Sequence, residues 1–359
     1  MRVAFVAEVT AQLESTGATR RLRRTAELLA GRGHDAVVLC SQWWDGDHAT
    51  FEQDDVTYRA VTTEPPEEGP SRRFAMALPG ALRRAKPDVV HAAAVPKHVL
   101  AAKTASALVR APLVVDWYDA PRAETAEANA RGLRMAARAA DEIVAPSETV
   151  KTRVRELGAS GDDVRVVPNG IDMDAIREAQ VVEGADVVYS RRLDEDANLE
   201  SLLLALAELR DRDWNVVVIG DGPERDGYER QTRDLRIDDR VEFTGSQPVE
   251  KRIPVFKGAH VYVQTARREA FPTDLLRALA CGCSGVVEYH VDSSAHELVE
   301  NEDRTFRTTS EQELTEALVA AADLEPLAVN EAFADYDHQR VLERYLDCYR
   351  DVRDSFGLF

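Results

Sequence analysis

The residues best suited to chemistry lie in the segment Glu269-Ala-Phe-Pro-Thr-Asp-Leu-Leu-Arg-Ala-Leu-Ala-Cys-Gly282. An apolar run ending at Gln264 leads into it, Pro272 breaks the loop, Thr273 is placed to cap a helix, and Gly282 ends that helix. An acidic loop that runs into a helix N-terminus sets a carboxylate beside unpaired backbone N–H groups and the positive end of the helix dipole. That combination suits a ligand carrying both an anion and hydroxyl groups. Arginines collect nearby in the pattern: Arg191 and Arg192 follow one apolar run, Arg267 and Arg268 another. A guanidinium is the side chain best matched to a phosphate.

Other chemistry is limited by composition. Formal net charge is −19, which excludes a general nucleic-acid-binding surface. Lysine occurs only at 86, 97, 103, 151, 251 and 257, the remaining basic residues being arginine. An acid-rich, lysine-poor chain resembles the proteins of salt-loving organisms; codon bias alone would explain the arginine but not the excess acid. Cys281 and Cys283 are separated by one glycine and Cys40 and Cys348 stand alone, so the four read as buried fillers in a reducing cytosol rather than zinc ligands or disulfides. No Gly-x-Gly-x-x-Gly follows the first strand, which argues against a dinucleotide dehydrogenase. The acidic cluster Asp194-Glu-Asp196 lies close behind the apolar run 186–190. No apolar run is long enough to cross a membrane, and no signal peptide is expected at Met1.

Short β-branched runs alternate with helical patterns, the signature of βαβ units and parallel sheets. In the first half, 3–6, 36–39, 89–91, 113–116, 142–145 and 165–167 read as strands, and 20–30 as a helix. A second series follows at 186–190, 215–219, 241–244, 260–264 and 285–289, with helices over 199–209 and 228–235. The polar stretch 176–185 reads as a linker. We therefore expect an α/β chain of two Rossmann-like parallel-sheet domains, 1–175 and 185–336. A long amphipathic helix over 337–359 would pack on the second domain or cross back to the first.

In register and order, these segments resemble glycosyltransferase family 4, whose fold is GT-B. The Glu269 segment is similar to that family's Glu-Gly-Phe motif with a second glutamate further on. The runs 32–39, 140–147 with 166–172, 189–193 with 198–202, and 218–224 are similar to its other landmarks. The resemblance implies a sugar moved from a nucleotide-sugar donor held between the domains, by a retaining and metal-independent route with no cofactor. Carried over by position, Arg192 matches the arginine that contacts the donor diphosphate and Glu269 the glutamate near the transferred sugar; these are the expected catalytic residues. Gly17, Arg191, Gly220, Asp221, Ala270, Phe271, Thr273 and Arg277 are the expected donor-binding residues, with a plain turn as the competing reading of Gly220 and Asp221. His91, Tyr118 and Asp119 are candidates for the acceptor side or cleft, a buried structural role being the alternative for His91.

Three positions depart from the family pattern. Arg277 stands where the second glutamate usually holds the ribose, Ala197 where a lysine partners the diphosphate arginine, and Tyr118 where a histidine is common. An arginine donates where a glutamate accepts, so the change at 277 is one of kind. The departures keep two alternatives open: a GT-B scaffold that has lost catalysis and serves as a partner subunit, or another sugar-nucleotide enzyme such as a 2-epimerase. The acceptor is an unidentified saccharide, lipid or small molecule. Trp43-Trp44 is read as packing or as an aromatic platform, and the basic, apolar segment 71–84 as a solvated helix or as a peripheral contact with an anionic membrane at the inner face.

Overall fold

The computed structural model describes residues 1–66, 69–119 and 123–356, with the side chains of 123–128 outside the description. The last three residues of the expected C-terminal tail, 357–359, lie outside the described residues. The chain divides into two compact units: Met1–Asn169 with Gln339–Phe359, and Gly170–His338. Strands of the first unit are β1 (Arg2–Val6), β2 (Asp35–Ser41), β3 (Thr50–Gln53), β4 (Val56–Thr62), β5 (Val89–Ala93), β6 (Leu113–Asp116), β7 (Glu142–Ala145) and β8 (Val164–Val166). Its helices are α1 (Gly17–Gly31), α2 (Arg72–Ala85), α3 (Pro96–Val109), α4 (Ala123–Ala139) and α5 (Glu148–Glu156). The second unit comprises α6 (Met173–Glu178), β9 (Val187–Ser190), α7 (Leu199–Glu208), β10 (Val216–Ile219), α8 (Arg225–Leu235), β11 (Val241–Gly245), α9 (Val249–Gly258) and β12 (Val261–Gln264). It continues through β13 (Arg268–Glu269), α10 (Thr273–Ala280), β14 (Ser284–Glu288), β15 (Asp292–Ser293), β16 (Thr305–Thr308) and α11 (Glu311–Ala322). The last helix, α12 (His338–Phe356), returns to the first unit.

The first sheet runs β3-β4-β2-β1-β5-β6-β7-β8, parallel except for the β3–β4 hairpin at its edge. The second runs β11-β10-β9-β12-β14-β16 and is wholly parallel, beside a two-stranded ribbon, β13-β15. Sheets covered on both faces are built from apolar strands, and the most continuous of them, β1, β5, β6, β9, β10 and β12, are among those read from the sequence. Five strands were not legible. The β3–β4 pair is half-exposed and polar (Thr-Phe-Glu-Gln, Val-Thr-Tyr-Arg), β16 is a polar edge strand, and the ribbon is too short to carry a period. The division between units falls at Asn169/Gly170, ahead of the polar stretch 176–185, because α6 buries Met173 and Ile176 in the second core.

One buried charge network ties the first unit together. Arg21 of α1 donates through Nε to both oxygens of Asp116 at 3.0 and 3.1 Å, through one terminal nitrogen to Asn169 at 2.8 Å and through the other to the Val167 carbonyl at 2.7 Å. Tyr345 of α12 donates to Asp116 at 3.3 Å, and His91 bridges Asp116 (3.3 Å) and the Tyr349 hydroxyl (2.8 Å). Burial alone pushes the Asp116 carboxyl up, but Arg21 and His91 outweigh it and hold it below the usual range. The network fixes α12 against the sheet, where Val341, Leu342, Leu346 and Val352 join the first core.

Electrostatics of the whole chain yield a salt prediction. With 64 acidic against 45 basic residues, like charges repel in dilute buffer, and counter-ions relieve that repulsion. The thermal midpoint should rise between 0.1 M and 2 M KCl; a midpoint that is flat or falls contradicts the salt-adapted reading of the composition.

Candidate donor site

Strand order locates the site in the second unit. Its sheet grows one way from β9 through β10 to β11 and the other way from β12 through β14 to β16, so β9 and β12 flank the switch point. Open α/β sheets bind ligands outside the carboxyl ends of their strands at such a point. The residues leaving these two ends are Arg191 and Arg192 after β9, and Arg267, Arg268 and Glu269 after β12.

They meet. Arg191 donates to Glu269 Oε2 at 3.4 Å, to the Arg268 carbonyl at 3.2 Å and to Asp194 Oδ1 at 3.3 Å, with its side chain only 12% exposed. Arg192, the arginine expected to carry the diphosphate contact, projects outward with a 73% exposed side chain and only a 4.0 Å approach to Asp194. The ordered guanidinium beside the carboxylate is therefore Arg191, and Arg192 is the open one. Burial works against the Arg191 charge, but Glu269 and Asp194 more than compensate and hold its protonated form above the ordinary range.

The glycine turn acts on this loop from behind. Gly220 has φ +152° and lies against the Arg191 carbonyl so closely that a Cβ would overlap it. Arg191 N–H donates to the Ile219 carbonyl at 3.0 Å and Leu193 N–H to the Asp221 carbonyl at 3.0 Å, so the two loops are zippered. The close approach that Gly220 permits here is to the Arg191 carbonyl. Asp221 spends one oxygen on its own neighbour, Gly222 N–H, at 2.8 Å, which is the plain-turn reading.

Helix α10 forms the other wall. Thr273 is its first residue rather than its cap: Pro272 occupies the cap position, no side chain caps the helix, and the Thr273 N–H donates to the Phe271 carbonyl at 3.0 Å. Ala270 and Phe271 are buried, and Ser294 holds the Ala270 carbonyl at 2.8 Å, fixing the loop that presents Glu269. Leu275, Leu276 and Leu279 form the buried face of α10, as their spacing requires.

Arg277 is not a solvated surface side chain. It is 19% exposed and donates to Asp274 Oδ1 at 2.7 Å, while the other Asp274 oxygen takes the Ser190 hydroxyl at 2.8 Å and an ion pair from Arg252. Burial raises the Asp274 carboxyl, but Arg277 and Arg252 outweigh it and hold it low. The position that holds a carboxylate in the family pattern thus carries two guanidiniums around one aspartate, one charge in excess. Asp274, Arg252 and Ser190 escaped the sequence reading: an acid in a first helical turn is ordinary, and Arg252 lies on α9, with no local pattern tying it to α10.

The remaining candidates fall differently. Ala197 is fully buried in the second core. Arg267 pairs with Glu200 at 2.6 Å and Asn198 at 2.9 Å. Asp194, which accepts from Arg191 and from the Asp196 N–H, is committed to the loop. In the first unit, Gly17 opens α1 behind a Thr16–Thr19 capping box, and its open face is filled by the Tyr118 ring, so these two residues come together while Asp119 is exposed. Of the two readings of His91, cleft residue or buried structural residue, the contacts match the second: it is wholly enclosed between Asp116 and Tyr349 in the structural network. Trp43 and Trp44 pack against each other and against Phe51, and Trp43 also packs against Tyr58, rather than forming an open platform. All four cysteines are buried and free, and burial pushes Cys40, Cys281 and Cys348 up to about 12, consistent with inert fillers.

Comparison with known proteins agrees with this arrangement. The family model described as Glycosyltransferase Family 4 matches residues 15–175, and that described as Glycosyl transferases group 1 matches residues 172–332. The alpha-monoglucosyldiacylglycerol synthase of Streptococcus pneumoniae is 25% identical over 58% of this chain and 52% of its own length. The 2-deoxystreptamine glucosyltransferase of Streptomyces kanamyceticus is 27% identical over 40% of this chain and 41% of its own. These matches span about half the length of those relatives or less. Among solved structures, HepE of Anabaena in complex with UDP superimposes with a TM-score of 0.76 at 20% identity, over 98% of this chain and all of that one. Sucrose-phosphate synthase of Thermosynechococcus elongatus follows at 0.74 and 16%, over 99% and 97%. The two family models in tandem, on two parallel-sheet units of the GT-B fold, place this chain in glycosyltransferase family 4.

Proposed function

We propose that the chain transfers a sugar from a nucleotide-sugar donor to a hydroxyl of a saccharide, lipid or small-molecule acceptor, with retention and without a metal or cofactor. The observation that carries this reading is the Arg191–Glu269 pair at the switch point of the second sheet, beside the uncapped N-terminus of α10. Arg192 and Arg191, with the first N–H groups of α10, stabilise the negative charge that grows on the departing diphosphate. Glu269 orients the hydroxyls of the transferred sugar and balances the cationic character of its reacting carbon. HepE in complex with UDP and with UDP-glucose supports the donor class. The commitment of Asp194 to Arg191 supports a metal-independent site, and four free, buried cysteines support a reducing, cytoplasmic setting.

Arg277 presents its remaining N–H groups to a donor phosphate, with Asp274 and Arg252 holding its angle. Replacing Arg277 with Ala should weaken nucleoside-diphosphate binding by on the order of 1.5–3 kcal/mol, as for hydrogen bonds to charged groups, and Arg277→Glu should weaken it further. Equal or tighter binding by Arg277→Glu removes Arg277 from the phosphate site.

A thermal-shift screen of nucleoside diphosphates and nucleotide sugars in high salt tests the donor assignment, because a ligand selective for the folded state raises the midpoint. At 100 times its dissociation constant a ligand adds about 2.7 kcal/mol. A screen in which no nucleoside diphosphate moves the midpoint favours the scaffold reading instead.

A further inference from the structure

Between Ser71 and Val115 the sequence holds eight basic residues and a single acid, Asp88, in a chain with a net charge of −19. Three of its six lysines fall in the same stretch. The fold gathers these residues onto one face, because α2 and α3 pack side by side in the first unit. Asp88 is turned away from that face to accept the Arg2 backbone N–H at 2.7 Å.

Lys103 pairs with Asp141, but most of the other cations are left without counter-charges. Arg72, Arg73, Arg83, Arg84 and Lys86 on and just beyond α2, and Arg110 at the end of α3, are exposed and form no ion pair among the described residues. Several arginines elsewhere are paired, as at Arg2, Arg32, Arg165, Arg177 and Arg225, whereas none of the four on α2 is, among the described residues. Among these cations stand Met76 and Leu108, each 75% exposed, the most exposed large apolar side chains of the first unit among the described residues. The opposite side of α2 buries Phe74, Leu78, Ala81 and Leu82, so Met76 is not a displaced core residue.

The face is held firmly. Ser71 caps α2, and its own N–H donates to the buried Glu8 carboxylate at 2.9 Å; His98 of α3 lies 3.2 Å from the same Glu8 oxygen and packs tilted against Phe74 with ring centroids 4.8 Å apart. Burial drives His98 down to about 4, so this latch carries no extra cation at neutral pH.

We propose that the exposed α2–α3 face docks on an anionic bilayer, its guanidiniums on lipid phosphates and Met76 and Leu108 in the headgroup–acyl boundary. Guanidiniums pair with phosphate oxygens two at a time, and their apolar stems lie along the interface. A long amphipathic helix with arginines flanking isolated apolar side chains is the form that lies in an interface plane. An acidic protein partner would satisfy the charges but gives no role to two separate, fully projecting apolar side chains, whereas a bilayer takes both. This inference does not depend on the donor site.

The test is co-sedimentation of the full chain with vesicles of phosphatidylcholine alone and of phosphatidylcholine with 40 mole-percent phosphatidylglycerol, a composition chosen to be on the order of a strongly anionic membrane surface. We expect binding to the anionic vesicles at least tenfold tighter than to the neutral ones, weakening as salt is raised from about 0.1 to 1 M, where the screening length falls from about 10 to 3 Å. The quadruple variant Arg72→Gln, Arg73→Gln, Arg83→Gln, Arg84→Gln should lose at least tenfold of the anionic binding. Met76→Ser with Leu108→Ser should lose severalfold, and both variants should keep the parent's thermal midpoint, since all six side chains are exposed. Equal binding to both vesicles, no binding to either, or undiminished binding by the folded arginine variant each overturns the proposal.

Discussion

Glu269→Gln should abolish transfer while the protein stays folded. Glu269 ends a short strand, β13, that pairs in register with Ser293, and its loop is pinned by the Ser294–Ala270 hydrogen bond. The backbone that presents the side chain therefore does not depend on its charge. The carboxylate faces Arg191 at 3.4 Å, and a neutral amide of the same shape keeps the space filled but loses the negative charge. If that charge acts chiefly on the transition state, turnover falls by on the order of 10²–10³ while donor affinity changes little. The measurement is kcat and donor Kd for parent and variant, with the thermal midpoint as the check on folding. Turnover near that of the parent would remove Glu269 from the catalytic machinery. A large loss of donor affinity with turnover preserved would make it a ground-state binding group.

The second large effect is on stability, at Asp116. Its carboxylate, 6% exposed as a residue, compensates Arg21 and receives Tyr345 and His91. Asp116→Asn leaves the Arg21 guanidinium buried with no opposite charge, which costs about 3–5 kcal/mol. For a unit of this size that lowers its midpoint by roughly 10 °C, at 2–4 °C per kcal/mol. Arg21→Met with Asp116→Leu together should recover most of the loss, since removing both charges also removes their desolvation. The sign of the pH dependence follows from the depressed Asp116 value. Its contribution is fully present above the ordinary carboxyl range and is lost as pH falls through the lower folded value. Scanning calorimetry of the three proteins at neutral pH checks this, and an Asp116→Asn protein as stable as the parent refutes the account of the network.

The sequence carried the architecture further than the site. Nearly continuous apolar strands such as Val216–Ile219 and Leu113–Asp116 are legible because both their faces are buried, whereas the Thr50–Gln53 edge strand has one face in water and a polar composition. Gly17 and Tyr118 stood 101 positions apart with nothing local to join them, yet the ring fills the space that the missing Cβ leaves. The run Arg20-Arg21-Leu-Arg-Arg24 shows the limit from the other side. Its four arginines are alike in sequence, and only the sheet position of Asp116 decides that Arg21 is the buried one. The same holds for Arg191 and Arg192. Adjacent residues at a strand end point to opposite sides, and the zipper to Ile219 and Asp221 turns Arg191 onto Glu269 and leaves Arg192 outward.

Transfer itself can be measured without knowing the acceptor beforehand. Purified chain is incubated with nucleotide sugars carrying radiolabelled sugar, a lipid and polysaccharide extract as acceptor source, and excess EDTA, and label is counted in the acceptor fractions. At least one donor should deliver label to an acceptor, at a rate unchanged by EDTA and reduced at least a hundredfold, on the scale of a lost transition-state charge contact, in Glu269→Gln. Label transferred equally by Glu269→Gln, or by no nucleotide sugar at all, would contradict a working donor site built on Arg191 and Glu269.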